Sequence, residues 1–318
     1  MFAFEYEGKL YSKENFDLMQ SLIERWDKLH QTNIFRYKLD NLRERVIGNA
    51  YVLQLNCDRS VKRRLPEQIT DIQQPFDKNK FNFTKVSEDE ILFKFWDTLD
   101  KATIHTVLIN VSPINQYHSL LCPYVNRMLP QVVSLESLKL VLDVYTMAQH
   151  RDLRIAFNSL CALASVNHLH YHIIMEKQNL PVESAECRKI KGPVWITEGY
   201  PIPAFCFNAC SKGAAQNIFK LIHYFLDNSI AHNIFITRGS SFDGEGEITR
   251  VFIWARKSTA GAKQLSAFNV AALELSGLFA VYSMEHFDSL DTKDLERELV
   301  KWKVDNLEQL CREIADLY

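Results

Sequence analysis

The sequence predicts an α+β fold in two halves, and three observations predict it. Apolar residues recur at helical spacing over 12–29 and 134–150, and apolar residues alternate with histidines in Asn167-His168-Leu169-His170-Tyr171-His172-Ile173-Ile174 as in a strand. Between the halves runs a polar segment, 176–205, that contains Pro181, Pro193, Pro201 and Pro203. At 318 residues, 47% of them hydrophobic, the chain is long enough to bury a substantial core.

In order along the chain, Ser12 is placed to cap a helix whose apolar positions are Phe16, Met19, Leu22, Ile23, Trp26 and Leu29. Residues 50–56 and 104–111 read as strands, the second apolar on both faces at Val107-Leu108-Ile109. Ser134 opens a helix that runs to about His150, with Leu138, Val141, Leu142 and Tyr145 on one side. The histidine strand follows near 166–175. The proline-bearing segment sets the boundary, giving halves 1–185 and 186–318. The second half reads as a helix at 213–227, a strand at 232–237, a glycine-rich turn from Gly239 to Gly246 and a strand at 250–256. Helices near 266–278 and 293–317 complete it, and no internal repeat is visible.

Composition excludes several classes. A net charge of −2 gives no electrostatic case for nucleic acid, whose non-specific binding rests on many Lys and Arg contacts to phosphate. The start, Met1-Phe2-Ala3-Phe4-Glu5-Tyr6-Glu7, lacks the basic region and apolar core of a secretory leader. The most apolar long stretch, Ser266 to Met284, contains Asn269 and Glu274 and so reads as a buried amphipathic helix rather than a membrane span. Seven cysteines form no repeating framework, which suits reduced thiols and a cytoplasmic protein; Cys206 and Cys210 lack a partner pair and read as buried small residues.

The histidine run carries the chemistry. On a strand, residues i, i+2 and i+4 share a face, so His168, His170 and His172 stand side by side while Leu169, Tyr171 and Ile173 point into a core. Three of the chain's 10 histidines fall within five positions, too dense for an incidental polar face. Two such imidazoles could share a metal ion, but the third lies roughly 13 Å from the first along a strand. The chain has no CxxC, no HExxH and no second His/Cys cluster, so no metal is expected. Nucleophilic catalysis remains: a neutral imidazole attacks phosphorus and holds the transferred group as a phosphoramidate, dividing one hard displacement into two easier ones. The middle imidazole suits that role, because a backbone carbonyl can fix its other nitrogen.

His168-Leu169-His170-Tyr171-His172-Ile173-Ile174 resembles the H-φ-H-φ-H-φ-φ signature of the histidine triad superfamily of nucleotidyl transferases and hydrolases. The stretch from Phe157-Asn158-Ser159 through Ser165-Val166-Asn167 is similar to the GDP-hexose phosphorylase branch. So are Gln54-Leu55-Asn56, Gln74-Pro75-Phe76-Asp77, Asn79 to Lys85, Leu108 to Pro113, Ala231 to Gly239 and Ala267-Phe268-Asn269-Val270-Ala271, in this order from about residue 34 to 284.

The resemblance implies a histidine-triad-like antiparallel sheet with flanking helices, and phosphorolysis of a GDP-hexose by inorganic phosphate through a covalent GMP–histidine, with no cofactor. Plant members acting on GDP-L-galactose typically carry Gln at the third triad position and animal-type members His; His172 therefore points to GDP-D-glucose, giving GDP and glucose 1-phosphate. The alternatives are a GDP-L-galactose-type phosphorylase, a triad hydrolase that releases GMP, and an idle nucleotide-binding descendant.

By the same resemblance, His170 is the nucleophile and His172 donates to a phosphate oxygen. His168 orients its neighbours or touches the α-phosphate. Asn158 and Ser165 fall at ribose and phosphate positions, and His118 at an upstream histidine position beside the site. Within the basic run Arg59, Lys62, Arg63 and Arg64, a phosphate-facing role goes to Arg63 or Arg64. Guanine needs an acceptor for its N1–H and amine, for which Asp77 and Phe81-Asn82-Phe83 are candidates. Related folds are often dimers, which makes a homodimer the implied assembly. Two departures stand out: the family usually has Gly-Gly where Cys161-Ala162 stands, and many triad proteins have Gly where Tyr117 stands. A Cβ at either point weakens binding if backbone must approach phosphate there.

Overall fold

The computed structural model describes residues 1–318 apart from Asn41, Asn49, Leu65, Pro66 and 260–266. Its strands in chain order are β1 (Phe2–Tyr6), β2 (Lys9–Ser12), β3 (Arg43–Ile47), β4 (Tyr51–Leu55), β5 (Ile91–Asp97), β6 (Asp100–Ile109), β7 (Ser119–Cys122), β8 (Leu153–Asn158) and β9 (Tyr171–Met175). They continue with β10 (Cys187–Lys191), β11 (Val194–Thr197), β12 (Phe205–Asn208), β13 (His232–Ser240), β14 (Glu247–Ala255) and β15 (Leu278–Val281). The helices are α1 (Leu18–His30), α2 (Cys57–Lys62), α3 (Leu135–Ala148), α4 (Ala214–Asp227), α5 (Ala272–Ser276), α6 (Met284–Ser289), α7 (Thr292–Val300) and α8 (Leu307–Leu317).

Twelve strands form one antiparallel sheet in the order β10-β11-β12-β14-β13-β8-β9-β7-β6-β5-β1-β2. The strands of 186–318 occupy one side and those of 1–185 the other, joined edge to edge where β13 pairs β8. The fold is thus α+β with a large antiparallel sheet. A second sheet, β15-β4-β3, draws on both halves, because β15 lies parallel to β4.

Strand alternation divides the core into two layers. On one face Ile155, Phe157, Tyr171 and Ile173 pack with Leu22 and Trp26 of α1, Leu138 and Val141 of α3, and Ile218 and Phe225 of α4. On the other face Ala156, Ile174, Phe235, Phe252 and Trp254 pack beneath the small sheet and α5 to α7. Caps start the main helices: the Asp17 side chain accepts from Gln20 N–H at 2.9 Å, and Ser134 Oγ accepts from Ser137 N–H at 3.1 Å.

Several expectations need correction. Ser12 does not cap the first helix; it ends β2, turns with Asn15, and Asp17 caps α1. The histidine strand is shorter than 166–175, since β9 begins at Tyr171. Only His172 lies on it, and His168 and His170 sit in the extended approach, where side chains rather than a ladder hold the backbone. The segment 176–205 contains β10 and β11; Pro193 falls in the turn between them, Pro201 and Pro203 in the connection from β11 to β12, and Pro181 at the start of a 3-10 turn. The helix expected near 266–278 is α5 alone, stopped at Gly277 with φ 106° before β15; Ser266 lies outside the described residues. The last helix is broken into α7 and α8, which bury Leu295, Leu299, Leu310 and Ile314. Cys206 is buried but Cys210 is exposed. Among the described residues no helix is long and apolar enough to cross a membrane.

Candidate active site

One row of the sheet forms the floor of a cleft. Leu108 opposes Leu120, Leu120 opposes His172, and His172 opposes Ala156, so one imidazole stands among apolar neighbours on three adjoining strands. His170 enters the same cleft from the approach to β9, its ring centroid 5.2 Å from that of His172. Counted to its open mouth, the cleft holds about 1190 Å³.

Gln131, fully buried, holds the approach in place. Its side-chain oxygen accepts from the His170 N–H at 2.8 Å, and its amide donates to the His170 carbonyl at 3.1 Å and the Asn158 carbonyl at 3.0 Å. Asn167 extends the brace, accepting from Gln131 N–H and donating to the Gln74 and Pro75 carbonyls, each at 2.9 Å. The Gln131 bonds satisfy backbone groups of His170 and Asn158 that a longer strand would have paired.

The hydrogen bonds fix the tautomers. His170 Nδ1 lies 2.8 Å from the His168 carbonyl, which can only accept, so Nδ1 carries the proton and Nε2 keeps its lone pair. Burial lowers the His170 pKa to about 4, against a smaller upward pull from that carbonyl, so the ring is neutral at pH 7. His118 Nδ1 accepts from Ile114 N–H at 2.9 Å, which puts its proton on Nε2. Of the two nitrogens beside that proton, the Asn110 amide at 3.2 Å cannot accept it and His172 Nδ1 at 3.0 Å can, which leaves His172 Nε2–H as a donor. Burial holds both rings well below the usual histidine range, and the nearby Arg59 guanidinium depresses them further. The pair is therefore one bare nitrogen beside one N–H.

His168 plays a different part from its two neighbours. Its ring does not line the cleft; it stacks on Phe83 at 5.6 Å, meets the edge of Phe76 at 5.2 Å, and accepts from Phe83 N–H at 3.0 Å. Its contribution to the site is the carbonyl under His170. Its pKa is lowered to about 4, chiefly by burial.

Of the other expected residues, Asn158, Ser165, Arg63 and Arg64 line the cleft. Asn158 Oδ1 accepts from Asn233 Nδ2 at 2.7 Å and Ala272 N–H at 3.0 Å, which ties α5 to the sheet and leaves its amide as a donor. Ser165 is exposed at the mouth, and Arg64 stacks on Phe81. His118 lies behind His172 and does not face the cleft. Asp77 is not brought to the cleft at all; it accepts from Asn79 N–H at 2.9 Å in a local turn.

Residues not anticipated for the site also line it. Asn56 caps α2, accepting from Arg59 N–H at 3.2 Å, and so presents Arg59, which donates to the Ser112 carbonyl. With its amide oxygen turned toward Arg63, Asn269 accepts from Nη1 at 2.9 Å, Nη2 at 3.2 Å and the Tyr282 hydroxyl at 3.0 Å. Glu274 lines the wall beside them, its carboxyl pushed up to about 7 by burial. The blocks Gln54-Leu55-Asn56 and Ala267 to Ala271 carried a signal for this wall; no sequence signal singled out Gln131. Among the described residues, no group of three or more His, Cys, Asp or Glu is arranged to hold a metal ion.

Models of the GDPGP1-like N-terminal and C-terminal domains match residues 17–174 and 176–314. The chain belongs to the GDPGP1-like family. Curated relatives similar to this GDPGP1-like chain include GDP-D-glucose phosphorylase 1 of Xenopus laevis, 34% identical over 85% of this chain and 80% of the relative. The Homo sapiens protein of the same name is 36% identical over 85% and 75%. GDP-L-galactose phosphorylase 2 of Arabidopsis thaliana is 30% identical over 88% and 71%. Yeast Ap4A phosphorylase Apa2 in complex with Ap4A shares the fold, with a TM-score of 0.63, 12% identity and coverage of 90% of this chain and 97% of that one.

Proposed function

We propose that this chain phosphorolyses a GDP-hexose, GDP-D-glucose in particular, to GDP and glucose 1-phosphate. The observation that carries the reading is the tautomer arrangement: a neutral His170 with a free Nε2 beside His172 Nε2–H. Relatives named for GDP-D-glucose phosphorolysis, at 34% and 36% identity, support the substrate.

Nε2 of His170 attacks the α-phosphorus and the bond from that phosphorus to the oxygen bridging to the β-phosphate breaks. Glucose 1-phosphate leaves with the bond's electron pair. The His168 carbonyl holds Nδ1–H while positive charge develops on the ring, and His172 Nε2–H donates to a phosphate oxygen as charge shifts. An oxygen of inorganic phosphate then attacks the phosphorus of the GMP–His170 adduct, the P–N bond breaks and GDP is released. Arg63, Arg64 and Arg59 offset the phosphate charge, and Asn158 and Ser165 donate to ribose or phosphate. We extend the proposal to a cytosolic homodimer. Its seven free thiols fit a reducing compartment, and sedimentation of the purified protein tests the assembly.

The test is the nucleotide formed from GDP-glucose with and without inorganic phosphate. GDP formed only with phosphate, together with glucose 1-phosphate, is the expected result. GMP formed regardless of phosphate would assign the protein to hydrolysis instead.

A further inference from the structure

The cleft has two unlike ends. Across the floor, Ile91 opposes Leu108, Leu108 opposes Leu120 and Leu120 opposes His172, so β5 lies three strand spacings, roughly 14 Å, from the triad strand. This end is a largely apolar slot with one cation at its edge: Phe83, Leu108, Leu120 and Val166 are buried together, with Phe81 and Val86 packed against them and Arg64 stacked on Phe81. The opposite end, beyond His172, holds Arg63, Asn269, Tyr282, Arg59 and Glu274. A nucleotide whose α-phosphorus meets His170 Nε2 finds an aromatic-lined slot on one side and cationic donors on the other. Its planar base belongs in the first and the departing sugar phosphate in the second.

Glu90, the residue before β5, lines that slot at its far end. It is placed by its own turn: Oε1 accepts from Ser87 N–H at 3.1 Å, while Oε2 accepts no hydrogen bond among the described residues. Guanine presents N1–H and the exocyclic amine side by side, a donor pair that a carboxylate edge satisfies and a neutral amide does not. The other carboxylate in the cleft, Glu274, is on the wrong side of His172, among the cationic donors. Asp77 is outside the cleft.

Resting on the GDP-hexose reading, we infer that the slot between Phe81, Phe83 and Val166 receives the guanine and that Glu90 reads its N1–H and amine, making Glu90 the residue that selects guanine. Glu90→Gln is the suitable variant, because Gln retains the Oε1 that caps the Ser87 turn.

The experiment compares kcat/KM for GDP-glucose and IDP-glucose, which lacks the exocyclic amine, in the unaltered enzyme and in Glu90→Gln. The unaltered enzyme should favour GDP-glucose by about tenfold or more, the value of one good polar contact to a base edge. Glu90→Gln should bring the two substrates to within about twofold of each other, by losing rate on GDP-glucose. A variant that keeps the original ratio, whether its rates are intact or equally reduced on both substrates, overturns the assignment of Glu90. Failure of the unaltered enzyme to act on GDP-glucose at all refutes the GDP-D-glucose reading itself, so the two failures are distinct.

Discussion

One face of one sheet is treated in two opposite ways. On the β6-β7-β9 side it carries His172 and opens to a cleft, whereas two and three strands on, Phe235, Phe252 and Trp254 on β13 and β14 are sealed beneath the small sheet and α5. The register is continuous across both, since Ala156 opposes His172 on one side and Phe235 on the other. The difference lies in what covers the face. The β15-β4-β3 layer buries apolar residues and makes stability. The segment 81–90 leans over its side and leaves a slot, so polar groups there must be satisfied individually, and those satisfied groups are the chemistry.

That contrast can be broken from either side. The largest effect is expected at His170: His170→Ala should lower single-turnover release of glucose 1-phosphate by at least about 10³-fold while thermal unfolding stays close to that of the unaltered protein. An unaltered rate in the variant would remove the nucleophile from the account. On the sealed side, Phe252→Ala should cost about 3–5 kcal/mol of stability by denaturant titration, with activity per folded molecule largely retained. A variant as stable as the original would mean that this layer does not carry the packing assigned to it.

Gln131→Leu tests the join between the two regimes, because it keeps the volume and removes the bonds to His170 and Asn158. Loss of about 10²-fold in kcat, with KM for the GDP-sugar little changed, is expected of a residue that positions the nucleophile. A change in KM alone would assign Gln131 to binding.

The pH dependence sharpens the comparison further. His170 has its pKa lowered to about 4, so its first-step rate should stay level as pH falls through 6.5 and decline only toward 4. A fall centred near 6.5 in the rate of glucose 1-phosphate release would mean that the ring is not desolvated. Stability follows the same sign. His118, His168, His170, His172 and His232 are all held neutral by burial, so the folded state binds fewer protons than the unfolded state below the ordinary histidine pKa. The histidine contribution to stability is complete above about 6.5 and is lost as pH falls toward 4; the carboxyls of Glu176 and Glu274, pushed up to about 7 by burial, have the opposite sign and are outnumbered. A melting temperature that rises on acidification would contradict this.

Legibility from sequence follows the same division. Period-2 alternation told which of Tyr171, His172 and Ile173 face the core and which the cleft, because a strand buries one face at a time. The expected length of that strand was wrong because Gln131, remote in sequence from its partners, replaces ladder bonds of His170 and Asn158 with side-chain bonds, and no local pattern encodes that. Asp77 looked like an acceptor for guanine but serves a turn, a use that Asp at that position satisfies equally well. The departures from glycine were informative: Tyr117 and Cys161 adopt φ of 64° and 61°, the left-handed region where glycine is at ease. Cys161 is buried in a small cluster with Ile69 and Leu160 and does not line the cleft, so its Cβ is away from substrate. Cys161→Gly, which relieves backbone strain and loses a buried thiol, should change stability by no more than about 1 kcal/mol and leave kcat/KM unchanged. A marked gain in kcat/KM would show that the side chain does obstruct the site.

The central claim is that His170 alone carries GMP between the two half-reactions. Mass spectrometry of the protein mixed with GDP-glucose without phosphate, followed by peptide mapping, tests it most directly. A single GMP adduct on His170 that disappears as GDP when phosphate is added is the predicted result. No adduct during turnover, or an adduct on another residue, would contradict it.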